Sequence, residues 1–374
     1  MTARLNSLSL ALRCFWHLLL HGTAKRKVTP TSIVIVQFGK LGDMVCTTPM
    51  SRAVKVHDPS IRVIVVGDRV GGEVLAGNPD VDRYIVCGAD IAEALQELRK
   101  EKVDAGVIAS PSLRAFALLY LAGIRTIVAP RVVGGVSMEG RLYKVLASLG
   151  VRVEHRMGRY APGEYLRALE PLGIFATNTT KHLAISSEAV EWVEGFWKDH
   201  NLTGMKVVGI SPAAGNRIKQ WPPERFASVA GHLFKQGFKL VVVGGKNDQN
   251  ETKAMLDAMR PVAVVNTVGT LSIEQLKALM QKLSLFISVD TGPIYIAEAF
   301  GVATIDIVGP VDEREQPPVG PRHVVVVPKR EKPELYVMNP YPRDITEARR
   351  QTESITAQDV IAAADTLLGQ LNLV

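Results

Sequence analysis

The sequence predicts an α/β protein of two successive doubly wound domains, and three observations predict it. Short β-branched runs alternate with helical periodicity from residue 32 to 130, the alternation lapses, and it restarts at 206. That pattern marks parallel βαβ units with helices on both faces of a sheet. The 374 residues exceed the about 250–300 that a single core usually supports. Hydrophobic residues make up 47% and charged residues 22%, which is the balance of a globular protein with an ordinary solvated surface.

The elements follow in order. "SIVIVQF" at 32–38 reads as a buried strand and "MSRAVKVH" at 50–57 as helix. "IRVIVVG" and "VDRYIVC" are the next strands, and "IAEALQELRKEK" is a helix. "VDAGVIAS" is a fourth strand, "SLRAFALLYLAG" a helix, and "TIVAP" a short fifth strand. Residues 151–205 change character and read as the passage between domains. In it "GRYAPGEYLRALEPLGI" is a helix ending in a Gly turn, "KHLAIS" a short strand and "EAVEWVEGFWKDHNL" a helix. From 206 the strands are "KVVGIS", "KLVVVGG", "AVVNTVG", "LSLFISVD" and "ATIDIVG", separated by helices. The chain closes on "TAQDVIAAADTLLGQL", a helix with Thr356 before its first turn. The expected division is a basic amphipathic segment at 1–30, one domain at 31–180, a second at 181–350, and a C-terminal helix at 351–374 able to pack back on the first. Two such sheets facing each other leave one cleft at the carboxyl ends of their strands, where ligands of these sheets bind.

The charge is unevenly placed. Arg4, Arg13, Lys25, Arg26, Lys27 and Lys40 stand in residues 1–42 with no acid among them, +6 of the net +7. The remaining body is nearly neutral, which argues against nucleic-acid binding. Three scattered cysteines, Cys14, Cys46 and Cys87, form no C-x-x-C pair and fit a reducing cytoplasm. No run of about 18 apolar residues is long enough to span a bilayer.

The N-terminal segment "LNSLSLALRCFWHLLLHGTAKRK" places Leu5, Leu8, Leu12, Phe15, Trp16 and Leu19 at helical spacing before a basic cluster. Arg13 and His17 break the apolar part, and no cleavage site of small residues follows, so it is not read as a signal peptide. Two readings need the same periodicity: an interfacial helix on anionic lipid at the inner leaflet, and a helix packed on the protein's own surface.

Three loops at strand ends carry unusual residues. In "GKLGDMVCTTP" Gly39 and Gly42 allow a tight turn around Lys40, and Asp43 opens a helix that also carries Thr47 and Thr48. Asp43 is either a helix cap or a carboxylate held for proton transfer. A helix N-terminus favours the charged carboxylate, which makes it a weaker base until the proton leaves late in the reaction. The spacing lacks the third glycine of the dinucleotide fingerprint and the Lys-Ser/Thr of the P-loop. In "SPAAGNRIKQWPPERF" the small residues Ala213, Ala214 and Gly215 admit a ligand close to the backbone. Lys219 precedes the helix and is free to neutralise a phosphate, or is a solvated surface lysine. Trp221 reads as packing. In "SVDTGPIYIAEAFG" Asp290 ends a strand, Thr291 and Gly292 turn, and Pro293 opens a helix. The N–H groups there and the Thr291 hydroxyl suit a diphosphate, while Asp290 is expected to order the loop by bonding its N–H groups.

Other chemistries lack support. His17 and His21 lie on one helix face with no acid nearby to complete a site, so no metal is expected. H-E-x-x-H and G-x-S-x-G are absent. Asp80 and Asp82 precede a strand, where a metal–nucleotide-sugar site wants them after one, and read as a turn.

Taken together the three loops resemble those of the heptosyltransferase family, glycosyltransferase family 9, over about 33–330. "GKLGDMVCTTPMSRAVK" is similar to its G-D-x-x-x-x-x-P segment and "SPAAGNRIKQWPPERFASVAGHL" to its P-G-A…K-x-W-P-x-x-x-F segment. "VVVGGKND" and "VGTLSIEQLKALM" match the next blocks, and "SVDTGPIYIAEAFGVATIDIVGPVDE" resembles D-S/T-G-x-x-H-I/L-A-x-A…G-P-x-D/E.

The resemblance implies a GT-B fold: two Rossmann-like domains facing across a cleft, the N-terminal one for acceptor and the C-terminal one for nucleotide-sugar. It implies inverting transfer without metal or other cofactor. The usual donor is ADP-L-glycero-β-D-manno-heptose, and the acceptor a lipid-linked saccharide of the lipopolysaccharide core. By the same resemblance Asp43 falls on the general base and Lys219 near the donor phosphates. Asp290, Thr291 and Gly292 fall on the diphosphate turn, and Leu271 near the adenine. One departure stands out: the signature histidine is Tyr295 here, a hydrogen-bond donor without charge at neutral pH. It leaves open a different nucleotide-sugar donor, an epimerase of the two-domain UDP-sugar type, or a non-catalytic nucleotide-sugar-binding relative.

Overall fold

The computed structural model describes residues 2–25, 29–135, 139–260 and 262–373, with side chains from residue 7 onward. The chain divides into two compact units, Met1–Ala184 and Ile185–Val374.

In the first unit α1 (Thr2–His21) precedes β1 (Ser32–Val36), α2 (Leu41–His57), β2 (Arg62–Gly67), α3 (Arg69–Leu75) and β3 (Arg83–Val86). Then come α4 (Ala92–Glu101), β4 (Ala105–Ile108), α5 (Leu113–Leu121), β5 (Thr126–Val133), α6 (Arg141–Ala147), β6 (Val151–Arg156) and α7 (Ala161–Arg167). The sheet order is β3-β2-β1-β4-β5-β6, and every neighbouring pair is parallel. β1 is buried along its whole length, because helices cover both faces of a parallel sheet and leave no solvent side to favour polar residues. α5 is almost wholly buried, with Phe116 and Tyr120 among the largest enclosed side chains.

The second unit repeats the plan with α8 (Ser187–Asp199), β7 (Val207–Ser211), α9 (Pro223–Lys235), β8 (Lys239–Val242), α10 (Gln249–Met259) and β9 (Val265–Asn266). It continues through α11 (Ile273–Gln281), β10 (Leu285–Val289), α12 (Gly292–Ala299), β11 (Ala303–Ile307), β12 (His323–Val326), α13 (Ile345–Ser354) and α14 (Ala357–Gln370). Its sheet runs β12-β11-β10-β7-β8-β9. Counted from its own first strand, that is the same 3-2-1-4-5-6 order as in the first unit, the order of dinucleotide-binding sheets. The order reverses between β1 and β4, and between β7 and β10. Those two switch points are where such sheets take ligands, beyond the carboxyl ends of the strands.

Several expectations are revised. Residues 151–184 are not a passage: β6 closes the first sheet beside β5, and α7 packs on β6 and α2. "KHLAIS" forms no strand. Its anchors are His182 Nδ1, 2.7 Å from Asp80 Oδ2, and the His182 N–H donated to Thr48 Oγ1 at 3.0 Å. The C-terminal helix is two helices, α13 and α14. Val360, Ala364, Leu367 and Leu368 of α14 complete the second unit's core.

α1 packs one side on the first unit's core and leaves the other exposed. Cys14 is fully buried, and Leu10, Ala11 and Leu18 pack on the core beside it, against α5. His17 Nε2 lies 3.2 Å from the Tyr120 carbonyl. Leu8, Leu12, Phe15, Trp16 and Leu19, on the opposite side of the helix, are each more than half exposed. Arg26, Lys27 and the side chains of Arg4 and Leu5 lie outside the described residues. All three cysteines are buried thiols, and burial pushes Cys14 up to about 12, which leaves it protonated and unreactive.

Candidate functional site

The first unit's switch point is shaped by Gln37, Gly39 and Asp43. Gln37 follows β1 directly and is almost completely buried. Its Oε1 accepts the Gly39 N–H at 2.9 Å, and its Nε2 donates to Ser110 Oγ, on the loop after β4, at 3.3 Å. One side chain thus ties together the two loops that flank the switch point. Asp43 sits in the first turn of α2, half-buried, and its Oδ2 accepts the Lys40 N–H at 2.8 Å. A Cβ on Gly39 would stand 2.5 Å from the Asp43 side chain, so the turn admits only glycine while Asp43 keeps this pose. The carboxylate is therefore a cap and is also fixed at a loop where ligands of this sheet type bind. The two readings of Asp43 are compatible.

Thr47 and Thr48 do not join it. Both are buried. Thr47 Oγ1 donates to the Met44 carbonyl at 2.8 Å, and Thr48 Oγ1 to the Val45 carbonyl at 2.7 Å. In-helix hydroxyls bonded one turn back already serve the helix itself. Gly42 is also buried, while Lys40 is exposed.

The second unit's switch point brings two of the predicted loops into contact. Lys219, at the end of a short 3-10 turn (Arg217–Lys219), reaches across to the strand end of β10. Its Nζ donates to Asp290 Oδ2 at 2.6 Å and to the Asp290 carbonyl at 3.2 Å. The lysine is thus neither free nor simply solvated. Asp290 does not order its loop through N–H groups as expected; it is the counter-ion of Lys219. Tyr295, almost fully buried on α12, donates its hydroxyl to Asp290 Oδ1. The tyrosine that stands where the family has its signature histidine therefore donates its hydroxyl proton to Asp290.

Thr291 is the N-cap of α12, its side chain makes no cap bond, and Pro293 follows in the first turn. Thr291, Gly292 and Pro293 are all half-buried rather than enclosed. Ala214 is buried and Gly215 exposed on the loop after β7. Leu271 is half-buried just before Ser272, which caps α11 with Gln275 in a reciprocal pair. Trp221 packs as expected, its Nε1 donating to the Ile355 carbonyl at 2.8 Å and its ring edge-on to Phe226.

Asp306 is the residue that the sequence reading missed. It lies on β11, paired with Ser288 of β10, and is fully buried. Among the described residues neither of its carboxyl oxygens has a hydrogen-bond partner. Burial first, and then the nearby Asp290 charge, hold its carboxyl well above the usual range. Both favour the neutral acid. A protonated Asp306 leaves Lys219 and Asp290 as a balanced pair, so the cluster does not add a second negative charge behind the turn at 290–293. The signal was present in "ATIDIVG": one acid inside an otherwise apolar strand must be paired, neutral or functional.

Among the described residues no group of three or more His, Cys, Asp or Glu is placed to hold a metal, and no helix is long and apolar enough to cross a membrane.

Residues 95–342 match the profile of glycosyltransferase family 9 (heptosyltransferase). The chain is 23% identical over 350 residues to lipopolysaccharide heptosyltransferase 3 of Escherichia coli, covering 87% of this chain and 96% of that one. It is 22% identical over 311 residues to lipooligosaccharide heptosyltransferase 2 of Haemophilus influenzae, covering 79% and 88%. Among solved structures it is similar to the glycosyl transferase family 9 protein from Veillonella parvula, at TM-score 0.77 and 22% identity over 92% of this chain and 99% of that one. It is also similar to E. coli ADP-heptose lps heptosyltransferase II, at TM-score 0.72 and 18% identity over 91% and 99%. The fold is of the GT-B type.

Proposed function

The chain belongs to glycosyltransferase family 9 and is a glycosyltransferase, and from that premise we propose that it moves heptose from ADP-L-glycero-β-D-manno-heptose to a lipopolysaccharide-core or related glycolipid acceptor. The transfer is a direct displacement that inverts the anomeric carbon and needs no metal. Asp43 takes the proton of the acceptor hydroxyl. Lys219 and the N–H groups at the start of α12 stabilise the departing diphosphate. Thr291 and Gly292 shape the turn that receives it, Ala214 and Gly215 let the donor approach the backbone, and Leu271 lies on the adenine side. Lys40, Gly39 and Gly42 frame the acceptor loop. The acceptor's lipid places the reaction at a cytoplasmic membrane face.

The observation that carries this reading is the joining of Lys219, Asp290 and Tyr295 at the second sheet's switch point. An ammonium with two of its three N–H groups on Asp290 retains one for an anionic oxygen. Leaving-group charge is where fixed donors help most, with typical losses of ~10²–10³ in rate when one is removed.

Two measurements test it. Isothermal titration of the purified protein with ADP-heptose, UDP-sugars and GDP-sugars should give binding to the ADP donor first. Tight binding of a different nucleotide, with none of ADP-heptose, favours the second reading that Tyr295 motivates, a family member with another donor. Asp43→Asn should lower turnover by about a hundredfold or more with folding kept, because an amide oxygen still accepts the Lys40 N–H. Near-normal turnover in Asp43→Asn would remove Asp43 as the base.

A further inference from the structure

α1 has two apolar faces, and the fold uses one. Cys14, Leu10, Ala11 and Leu18 are spent on the core. The other face carries Leu8, Leu12, Phe15, Trp16, Leu19 and Leu20, from 52% to 77% exposed. Surface helices of globular units ordinarily oppose an apolar stripe with charged residues; here the outward stripe is as apolar as the inward one. The exposed apolar surface does not stop at α1. α6 lies against α1 and exposes Leu142 and Val145 one turn apart.

The charge around this surface has one sign. Arg13, Lys25, Arg141 and Lys144 are exposed on or beside it, and residues 1–42 contain no acid. Glu139, next in sequence to α6, is nearly buried and turned toward Lys144 and Arg152. An apolar stripe with an aromatic side chain and flanking cations fits a layer of acyl chains beneath anionic headgroups. A second copy of the chain fits poorly. A two-fold contact sets each patch against itself, so the cations of one copy would meet the same cations of the other.

We propose that the outward face of α1, continued by Leu142 and Val145 of α6, is a docking surface for a bilayer containing anionic lipid, with Trp16 and Leu19 inserted among the acyl chains. The proposal deepens the transferase reading and rests on it for its purpose, since a lipid-linked acceptor is presented at such a surface. Its physical content is independent of the donor and of catalysis.

The test is sedimentation of the full chain with phosphatidylcholine vesicles, with and without phosphatidylglycerol, beside the transfer rate on a soluble, deacylated acceptor. The wild type should sediment with the anionic vesicles and release with salt. Brominated acyl chains should quench part of its tryptophan emission. Trp16→Ser with Leu19→Gln should bind at least about tenfold more weakly, since two large side chains lose their burial. Arg13→Gln with Lys144→Gln should lose about fivefold or more and show a flatter salt dependence. Both pairs are exposed, so thermal unfolding and transfer to the soluble acceptor should stay as in the wild type. Absence of binding to anionic vesicles, or equal binding by the Trp16/Leu19 variant, overturns the proposal. So does a wild-type dimer that the same variant dissolves. Vesicle binding with no transfer to any acceptor leaves the docking surface standing and removes the transferase reading; soluble transfer without vesicle binding does the reverse.

Discussion

At the scale of single residues, the second unit's site is a problem of buried charge. Asp290 is nearly enclosed, and the Lys219 side chain is about a fifth exposed. Removing one partner of such a pair strands the other, at a cost of roughly 3–5 kcal/mol. Lys219→Met should therefore lose both donor binding and stability, seen as a reduced midpoint in urea. The double variant Lys219→Met, Asp290→Asn strands neither charge, so it should regain much of the stability and none of the donor binding. A double variant that recovers both would show that Lys219 acts through folding alone. Asp306 gives a pH signature. Its folded carboxyl holds a proton more tightly than the unfolded one. The sign follows from linkage: stability is full below the unfolded carboxyl's range and falls as pH climbs toward the raised folded value. Asp306→Asn has nothing to titrate. Its melting temperature relative to wild type should rise as pH climbs above the unfolded carboxyl's range, and a gap that stays flat or narrows there would mean that Asp306 is ionised in the fold.

At the scale of elements, the central strands and the edge strands β3 and β9 were legible, and the edge strands β6 and β12 were not. β1, β7 and β10 are buried on both faces, and read as unbroken apolar runs. β6, "VRVEHR", is half-exposed, and its alternating charge has the look of a linker. β12, "HVVV", follows a long irregular stretch after β11 and lies at the sheet's edge. Both omissions close a sheet at its rim, where one side of the strand meets no partner and the apolar signal weakens. The site divides in the same way. Loop positions and glycines could be read from spacing, but the Lys219–Asp290 pair joins residues 71 apart, and local spacing carries no trace of such a pairing. α1 is the element whose two readings were equally legible because both faces are apolar. Its inward face predicts a cost that its outward face does not share. Deleting residues 2–21 uncovers Tyr120, whose hydroxyl donates to the Gly22 carbonyl, and the α5 surface on which Cys14 packs. The deletion should lower the melting temperature by several degrees, in line with a loss of a few kcal/mol in a large unit. Trp16→Ser should leave it unchanged.

At the scale of the whole molecule, one sheet plan occurs twice and the two copies carry different chemistry. Each unit has the 3-2-1-4-5-6 order, and each switch point is bridged by side chains from the loops after its first and fourth strands. In the first unit the bridge is neutral, Gln37 to Ser110, and the charged group beside it is the Asp43 carboxylate. In the second the bridge is itself an ion pair with an ammonium, backed by an acid held neutral. A diphosphate is repelled by the Asp43 carboxylate, whereas the second arrangement is balanced and keeps one ammonium N–H for an anionic oxygen, and the proposed division of labour rests on that difference. Hydrogen exchange on the full chain with and without ADP checks this. Protection should be strongest at 211–221 and 289–295, where the Lys219 loop and the start of α12 lie, and weaker at 266–275 beside Leu271. The turn at 37–43 should change least, because an isolated nucleotide brings no acceptor to Asp43. Protection centred on 37–43, with the 289–295 turn unchanged, would reverse the assignment of donor and acceptor to the two units.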